Sequence, residues 1–309
     1  MVKKTKSKNK RNLSFRNWYL IFVISLLVAF VLSYLFKIAV DKFYPDEQKN
    51  FGLFKITSHN KLVNKEKSSL KSQSQPKNEF PVPQGRQLRV PILTYHYIGN
   101  NPNPDDKARD NLSVSPDKFE EEMAYLQKQG YATISLDTLY AALKGQVTLP
   151  DKSIILTFDD GYVDFYVNAY PILRKYNLHA TSFIPTGLIG QGYYLNWDQI
   201  KEMDASGLIS FQSHSVTHAD LPSLSSDQLK YQLAESKKTL EAQLGKPVNF
   251  MAYPYGTSNS TVWQAAKEAG YMGAVGTWSS TIQSEGTIMD MPRIKIPGGI
   301  ELQVFASRL

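Results

Sequence analysis

The chain has 309 residues, no cysteine, and a formal charge of +7 from 35 Lys and Arg against 28 Asp and Glu. The whole surplus sits in residues 1–16, which hold Lys3, Lys4, Lys6, Lys8, Lys10, Arg11 and Arg16 and no acid. From Arg89 onward there are 18 basic and 23 acidic residues, so the bulk of the chain offers no basic face and charge excludes a nucleic-acid partner.

Behind the basic tail, Trp18–Phe36 runs for 19 residues without a charge, close to the ~20 that a bilayer core requires. It exceeds the ~7–15 apolar residues of a cleavable signal, and Ser33-Tyr34-Leu35 is a poor cleavage site. Residues 17–37 therefore predict an uncleaved transmembrane signal anchor. The tail, residues 1–16, stays cytoplasmic and everything after Lys37 lies outside, a single-pass protein of the cell membrane with its globular part extracellular. Residues 38–88 are polar, close with Pro81 and Pro83, and carry no apolar period. They read as an extracellular stalk, which leaves residues 89–309 for the folded domain.

Within that domain, short runs rich in Ile, Val, Phe and Tyr mark strand candidates at 90–98, 131–136, 153–158, 180–185, 208–214, 249–255 and 271–277, with an eighth at 294–296. Helix candidates alternate with them. "SPDKFEEEMAYLQKQG" has Ser115 as N-cap, Pro116 at the first helical position and Gly130 as its stop. The stretch ending at Gly245 sets Leu229, Leu233, Leu240 and Leu244 on one stripe. "NSTVWQAAKEAG" repeats the cap-to-glycine pattern. The alternation predicts an α/β fold, a parallel sheet with helical crossovers. Seven or eight such units suit a barrel better than an open sheet, and a barrel carries its chemistry at the C-terminal strand ends.

The chemistry-bearing residues fall on that rim. Asp159 and Asp160 follow the run "SIILTF", His214 and His218 stand in "HSVTH", and Tyr253, Pro254 and Tyr255 close another run. Trp278 follows the strand candidate at 271–277, and His96 sits near the end of the first. Taken singly, each has a bland reading: two histidines four apart on a solvated helix face, a turn-capping acid pair before Gly161, a Pro-Gly turn. Taken together they make a site. One carboxylate and two imidazoles form a three-ligand set for Zn²⁺ or a similar divalent ion, with a position left for water. The second carboxylate stands beside that set, placed to take a proton from the water.

"TFDDGY", "HSVTH" and "YPYG" together resemble the polysaccharide deacetylase family, carbohydrate esterase family 4, also called the NodB homology domain. The resemblance covers about residues 90–300. It implies a distorted, incomplete (β/α) barrel of seven or eight units and removal of acetyl groups from N-acetylated sugars. It also implies a metal held by Asp160, His214 and His218, with Asp159 as catalytic base and the Tyr255 backbone N–H at the oxyanion. One divalent ion is expected, Zn²⁺ first, with Co²⁺, Ni²⁺ or Mn²⁺ accepting the same ligands.

Two features depart from the family pattern. Ala252 and Tyr253 stand where many members carry an arginine that orients the base, and no histidine follows His218 to serve as general acid. Proton return to the leaving amine then falls to Asp159 itself or to His96. Tyr253, Trp278 and Arg293 are candidate substrate contacts. Tyr193 and Tyr194 are candidate walls, and Asp198 and Arg293 are candidate orienting groups. "YPYG" with the early Tyr95-His96 resembles the branch acting on extracellular poly-N-acetylglucosamine, a biofilm or surface polymer. Peptidoglycan deacetylation, O-acetyl esterase activity and a non-catalytic sugar-binding module are the alternatives.

Overall fold

The computed structural model describes residues 84–103 and 105–309. The basic tail, the anchor expected at 17–37 and the stalk up to residue 83 lie outside the described residues. Among the described residues no helix is long and apolar enough to cross a membrane.

Seven parallel strands form the central sheet: β1 (Ile92–Tyr95), β2 (Ser153–Phe158), β3 (Ala180–Ile184), β4 (Ile209–Ser213), β5 (Phe250–Ala252), β6 (Gly273–Val275) and β7 (Ile294–Lys295). Their order across the sheet is β6-β5-β4-β3-β2-β1-β7, and an eighth short strand, Ala132–Thr133, pairs beside the start of β2. Every residue of β2 is buried, which explains its unbroken apolar run: a central parallel strand is covered on both faces and cannot alternate.

The helices are α1 (Pro116–Lys128), α2 (Leu136–Leu143), α3 (Tyr170–Tyr176), α4 (Trp197–Ala205), α5 (Ser226–Leu244), α6 (Ser260–Glu268) and α7 (Leu302–Ser307). The expected Ser115 cap and Gly245 stop are in place, and Ser225 adds a cap that was not read from the sequence. Ser115 accepts from the Lys118 N–H, Ser225 forms a capping box with Gln228, and Gly245 ends α5 at φ 66°. Sequence patterning missed α2, α3, α4 and α7. The run read as one strand over 131–136 is two residues of strand, after which Ser135 caps α2 through the Thr138 N–H.

The sheet is distorted at two places. Between β4 and β5 only Ser213 and Met251 are in register. There the Gln212 side chain takes the Phe250 N–H at 2.8 Å, substituting for a strand carbonyl. Between β6 and β7 the seam is crossed by one bridge, Val275 to Met291. Gly276 permits that approach, since a Cβ there would stand 2.0 Å from an Asp290 carboxylate oxygen. The barrel is therefore incomplete.

Apolar side chains pack on both faces of the sheet. Leu93, Leu156 and Phe158 meet α1, α3 and α7, while Ile92, Ile155 and Phe183 fill the inside with Phe250 and Val275. A short strand, Gln87–Arg89, pairs antiparallel with Ile282–Ser284. The folded body thus takes in the last residues of the stretch read as stalk.

Candidate active site

Asp159 and Asp160 leave β2 at its C-terminal end, and His214 leaves β4 at the corresponding end. The backbone there is strained. Of the five described non-glycine residues with positive φ, four are here: Asp160 (71°), Ser215 (66°), His218 (58°) and Tyr255 (60°). Such conformations cost of order 1–3 kcal/mol each and persist only where the surroundings over-determine them. The bland reading of the two histidines, an i, i+4 helix face, does not hold. "HSVTH" is a tight loop, fixed by the Gln232 side chain of α5, which accepts from the Val216 and Thr217 N–H groups at 2.9 and 3.0 Å. Ser215 Oγ accepts from the His218 N–H at 3.0 Å.

These constraints bring three donors together. Asp160 Oδ1 lies 3.3 Å from His214 Nε2 and 3.2 Å from His218 Nε2, and among the described residues these three form the one cluster suited to a metal ion. The two spacings from Asp160 match the edge of a tetrahedral centre, about 3.3 Å when its bonds are ~2.0–2.1 Å, and all three donor atoms lie within 4.8 Å of one another. The tautomer fits as well. His214 Nδ1 is 2.8 Å from the Ala252 carbonyl, which only accepts, so Nδ1 carries the proton and Nε2 turns a lone pair toward Asp160. A lone pair facing a carboxylate oxygen calls for a cation between them, either a metal ion or a proton on Nε2. Where protons fill the place, burial alone would raise the Asp160 pKa, yet hydrogen bonds from the two histidines outweigh it and hold the carboxyl well below its usual range. Burial likewise opposes a charged His214, but hydrogen bonding to Asp160 and the field of Asp159 outweigh it and raise the imidazole.

Asp159 has a different partner. Arg293 donates to both of its oxygens, Nη1 to Oδ1 at 2.8 Å and Nη2 to Oδ2 at 2.7 Å. The guanidinium is itself fixed, donating through Nε to Gly276 O at 2.8 Å and through Nη1 to Thr157 Oγ1 at 3.1 Å. Burial pushes the Asp159 carboxyl up, the Arg293 charge pulls it down, and the charge wins. Asp159 is held ionised beside the triad.

Of the two readings of Arg293, substrate contact and orienting group, its 1% exposure and its fork on Asp159 fit the second and correct the first. It lies just ahead of β7, on a different element from Ala252 and Tyr253. Tyr253 is corrected too: 1% exposed, it packs in the core with its hydroxyl on Met289 O at 2.6 Å. Trp278 is half-buried and donates its indole N–H to Asp290 O at 2.9 Å. Asp198 is exposed in the first turn of α4. His96 stands within the field of Asp159 and Asp160, and burial lowers its pKa against the pull of those carboxylates. Tyr255 is 66% exposed, its ring 4.5 Å from that of His218 and nearly perpendicular to it.

A cavity of about 240 Å³ opens over the triad, walled by Asp160, Tyr162, Leu188, Tyr194, His218 and Tyr255. A larger one, about 390 Å³, opens at the opposite strand ends among Asp137, His179, Lys246 and Asn249. Converging donors, not size, mark the site. Sequence reading missed Gln232 and the tyrosines Tyr97 and Tyr162; "TFDDGY" contains Tyr162, but only the fold shows which way it stacks.

A parallel α/β barrel with a metal-ready acid-histidine triad and a separate buried acid defines a hydrolase-type centre. The sequence profile of the polysaccharide deacetylase family matches residues 146–274. The YxkH protein of Bacillus subtilis (strain 168) is 31% identical over 219 residues, 71% of this chain and 75% of that protein. The poly-beta-1,6-N-acetyl-D-glucosamine N-deacetylase of Staphylococcus aureus (strain MSSA476) is 32% identical over 203 residues, 60% of this chain and 68% of that one. Among solved structures, the Streptococcus pyogenes deacetylase PplD in complex with acetate superposes with a TM-score of 0.68 at 35% identity, covering 72% of this chain and 99% of that chain. The chain belongs to the polysaccharide deacetylase family.

Proposed function

We propose that this protein hydrolyses the N-acetyl groups of an extracellular polysaccharide containing N-acetylglucosamine, with poly-N-acetylglucosamine as the leading substrate. The observation that carries the reading is the Asp159–Arg293 pair: an acid kept ionised, buried and 2.7–2.8 Å from its guanidinium, next to three converging metal ligands. The similarity to the Staphylococcus aureus poly-beta-1,6-N-acetyl-D-glucosamine N-deacetylase supports the choice of polymer. The uncharged run Trp18–Phe36 supports a membrane-anchored protein whose catalytic domain faces outward.

Asp160, His214 and His218 would hold a divalent ion, with Zn²⁺ suited to this donor set and Co²⁺, Ni²⁺ or Mn²⁺ accepting it, and the ion would supply Lewis-acid chemistry toward the acetyl carbonyl and water. The protein's own groups do the rest. Asp159 accepts the proton of the attacking water, its orientation fixed by the Arg293 fork. The Tyr255 backbone N–H faces the charge that develops on the carbonyl oxygen, a donor of the kind worth about 3 kcal/mol in comparable sites. The leaving nitrogen takes a proton back from Asp159, and acetate and a cationic sugar depart. His96, the other candidate for that return, has its pKa lowered by burial, which disfavours the imidazolium form that would donate and leaves the return to Asp159.

The test is acetate release from N-acetylglucosamine oligomers by the metal-loaded protein and by Asp159→Asn. The variant is expected to lose release while retaining the metal by elemental analysis. Equal rates for the two proteins remove the assigned role of Asp159. Release from O-acetylated xylan but not from the oligomers would favour an esterase.

A further inference from the structure

Beside the triad the structure holds a row of aromatic rings that the chemistry leaves unused. Tyr97 and Tyr162 stack with centroids 4.0 Å apart and planes 18° apart, and Tyr162 and Tyr194 stack at 5.3 Å and 26°. The Arg109 guanidinium lies 3.7 Å from the Tyr97 ring centroid. Two faces of Tyr97 are thus covered, by Arg109 and Tyr162, and two faces of Tyr162, by Tyr97 and Tyr194. Tyr194 terminates the row and lines the cavity. Its backbone is pinned to the strand end carrying Asp160: Tyr162 and Tyr194 form an antiparallel bridge, Val163 donates to Tyr193 O at 2.7 Å, and Leu195 donates to Gly161 O at 2.9 Å.

Two physical facts bear on what such a face is for. An aromatic ring on a rigid element offers a large contact area at low entropic cost. The cavity's volume, about 240 Å³, falls below the ~300–1,000 Å³ of sites that enclose a whole drug-sized ligand. It has room for the group being cleaved and its own sugar, and units on either side must lie against the rim. Tyr255 on the cavity wall is 66% exposed, and Tyr193, next to Tyr194 in the chain, is 83% exposed, the two most exposed large apolar side chains of the described residues.

We propose that the open face of Tyr194, braced by Tyr162, Tyr97 and Arg109, is a subsite that stacks the pyranose ring next to the one being deacetylated. The enzyme therefore binds internal units of a chain better than isolated sugars. This deepens the deacetylase reading and rests on it for the identity of the sugar.

Two measurements on the full-length protein separate the two claims. In turnover, Tyr194→Ala is expected to raise KM for an N-acetylglucosamine pentamer about tenfold, with a much smaller change in kcat, and Tyr194→Trp to restore it. In calorimetry on metal-loaded Asp159→Asn, adding Tyr194→Ala is expected to weaken pentamer binding by a similar factor. An unchanged KM and an unchanged affinity overturn the subsite, as does failure of every form to bind the pentamer. Binding that depends on Tyr194 in a protein that releases no acetate supports the subsite and defeats the deacetylase reading alone.

Discussion

At Asp159 two opposed forces of similar origin meet. Removing a carboxylate from water favours its neutral form, and a guanidinium at 2.7–2.8 Å favours the charged one. The outcome depends on geometry, because Arg293 delivers two parallel hydrogen bonds and is itself fixed by Gly276 and Thr157. Lysine cannot reproduce a planar fork. Arg293→Lys is therefore expected to keep the fold but lower acetate release by about 10–100-fold, the range found when groups supporting a site are removed. Arg293→Met leaves a buried carboxylate unpaired and is expected to cost about 3–5 kcal/mol in urea denaturation. Lysine turnover equal to arginine's would show that charge alone suffices. The sequence offered Arg293 as a substrate contact or an orienting group without naming what it orients, because its partner lies 134 positions away and no local pattern encodes that distance. Asp159, Asp160, His214 and His218 were legible because they cluster in two short motifs.

Among the elements, the helices with strong punctuation were readable and the site loops were not. Ser115 and Asn259 each precede a helix and cap it with a side-chain oxygen, as their positions suggested, and Ser225 does the same at α5. The segment leading into α3 begins as a π-helical turn over Phe165–Ala169 with no side-chain cap, so it carried no start signal. "HSVTH" has helical spacing but two left-handed residues, Ser215 and His218, which local propensity argues against. Tertiary contact overrides it through Gln232, 8% exposed, whose carbonyl oxygen accepts from the Val216 and Thr217 N–H groups while its amide donates to Thr217 Oγ1. Truncating that side chain frees the loop that carries His218. Gln232→Ala is expected to weaken metal affinity about 10–100-fold in a chelator competition while circular dichroism stays unchanged. Unaltered affinity would mean that the loop holds its shape without α5.

Over the whole molecule, the parallel sheet and the position of the site at the strand ends followed from the alternation of apolar runs with helices, whereas the incompleteness of the barrel was implied by the family resemblance alone. It arises from the Gln212 side chain displacing a ladder bond between β4 and β5 and from the single bridge at the Val275–Met291 seam. The triad joins the end of β2 to the loop after β4, and the Ala252 carbonyl that orients His214 belongs to β5. An ion held there ties the loosely paired β4–β5 region to the firmly paired centre. Because the three donors converge only in the folded chain, binding favours that state. A ligand at a hundred times its Kd adds about 2.7 kcal/mol, and a domain of this size gains ~2–4 °C per kcal/mol, so saturating Zn²⁺ is expected to raise Tm by roughly 5–10 °C. The increase should disappear on chelation and in Asp160→Ala. It should also shrink as pH falls, since protons compete for His214 Nε2 and the raised pKa of that ring makes the competition begin at higher pH than for a free imidazole. A scanning calorimetry series across pH and metal concentration reads all three responses, and a Tm indifferent to metal would show that the triad is not a binding site.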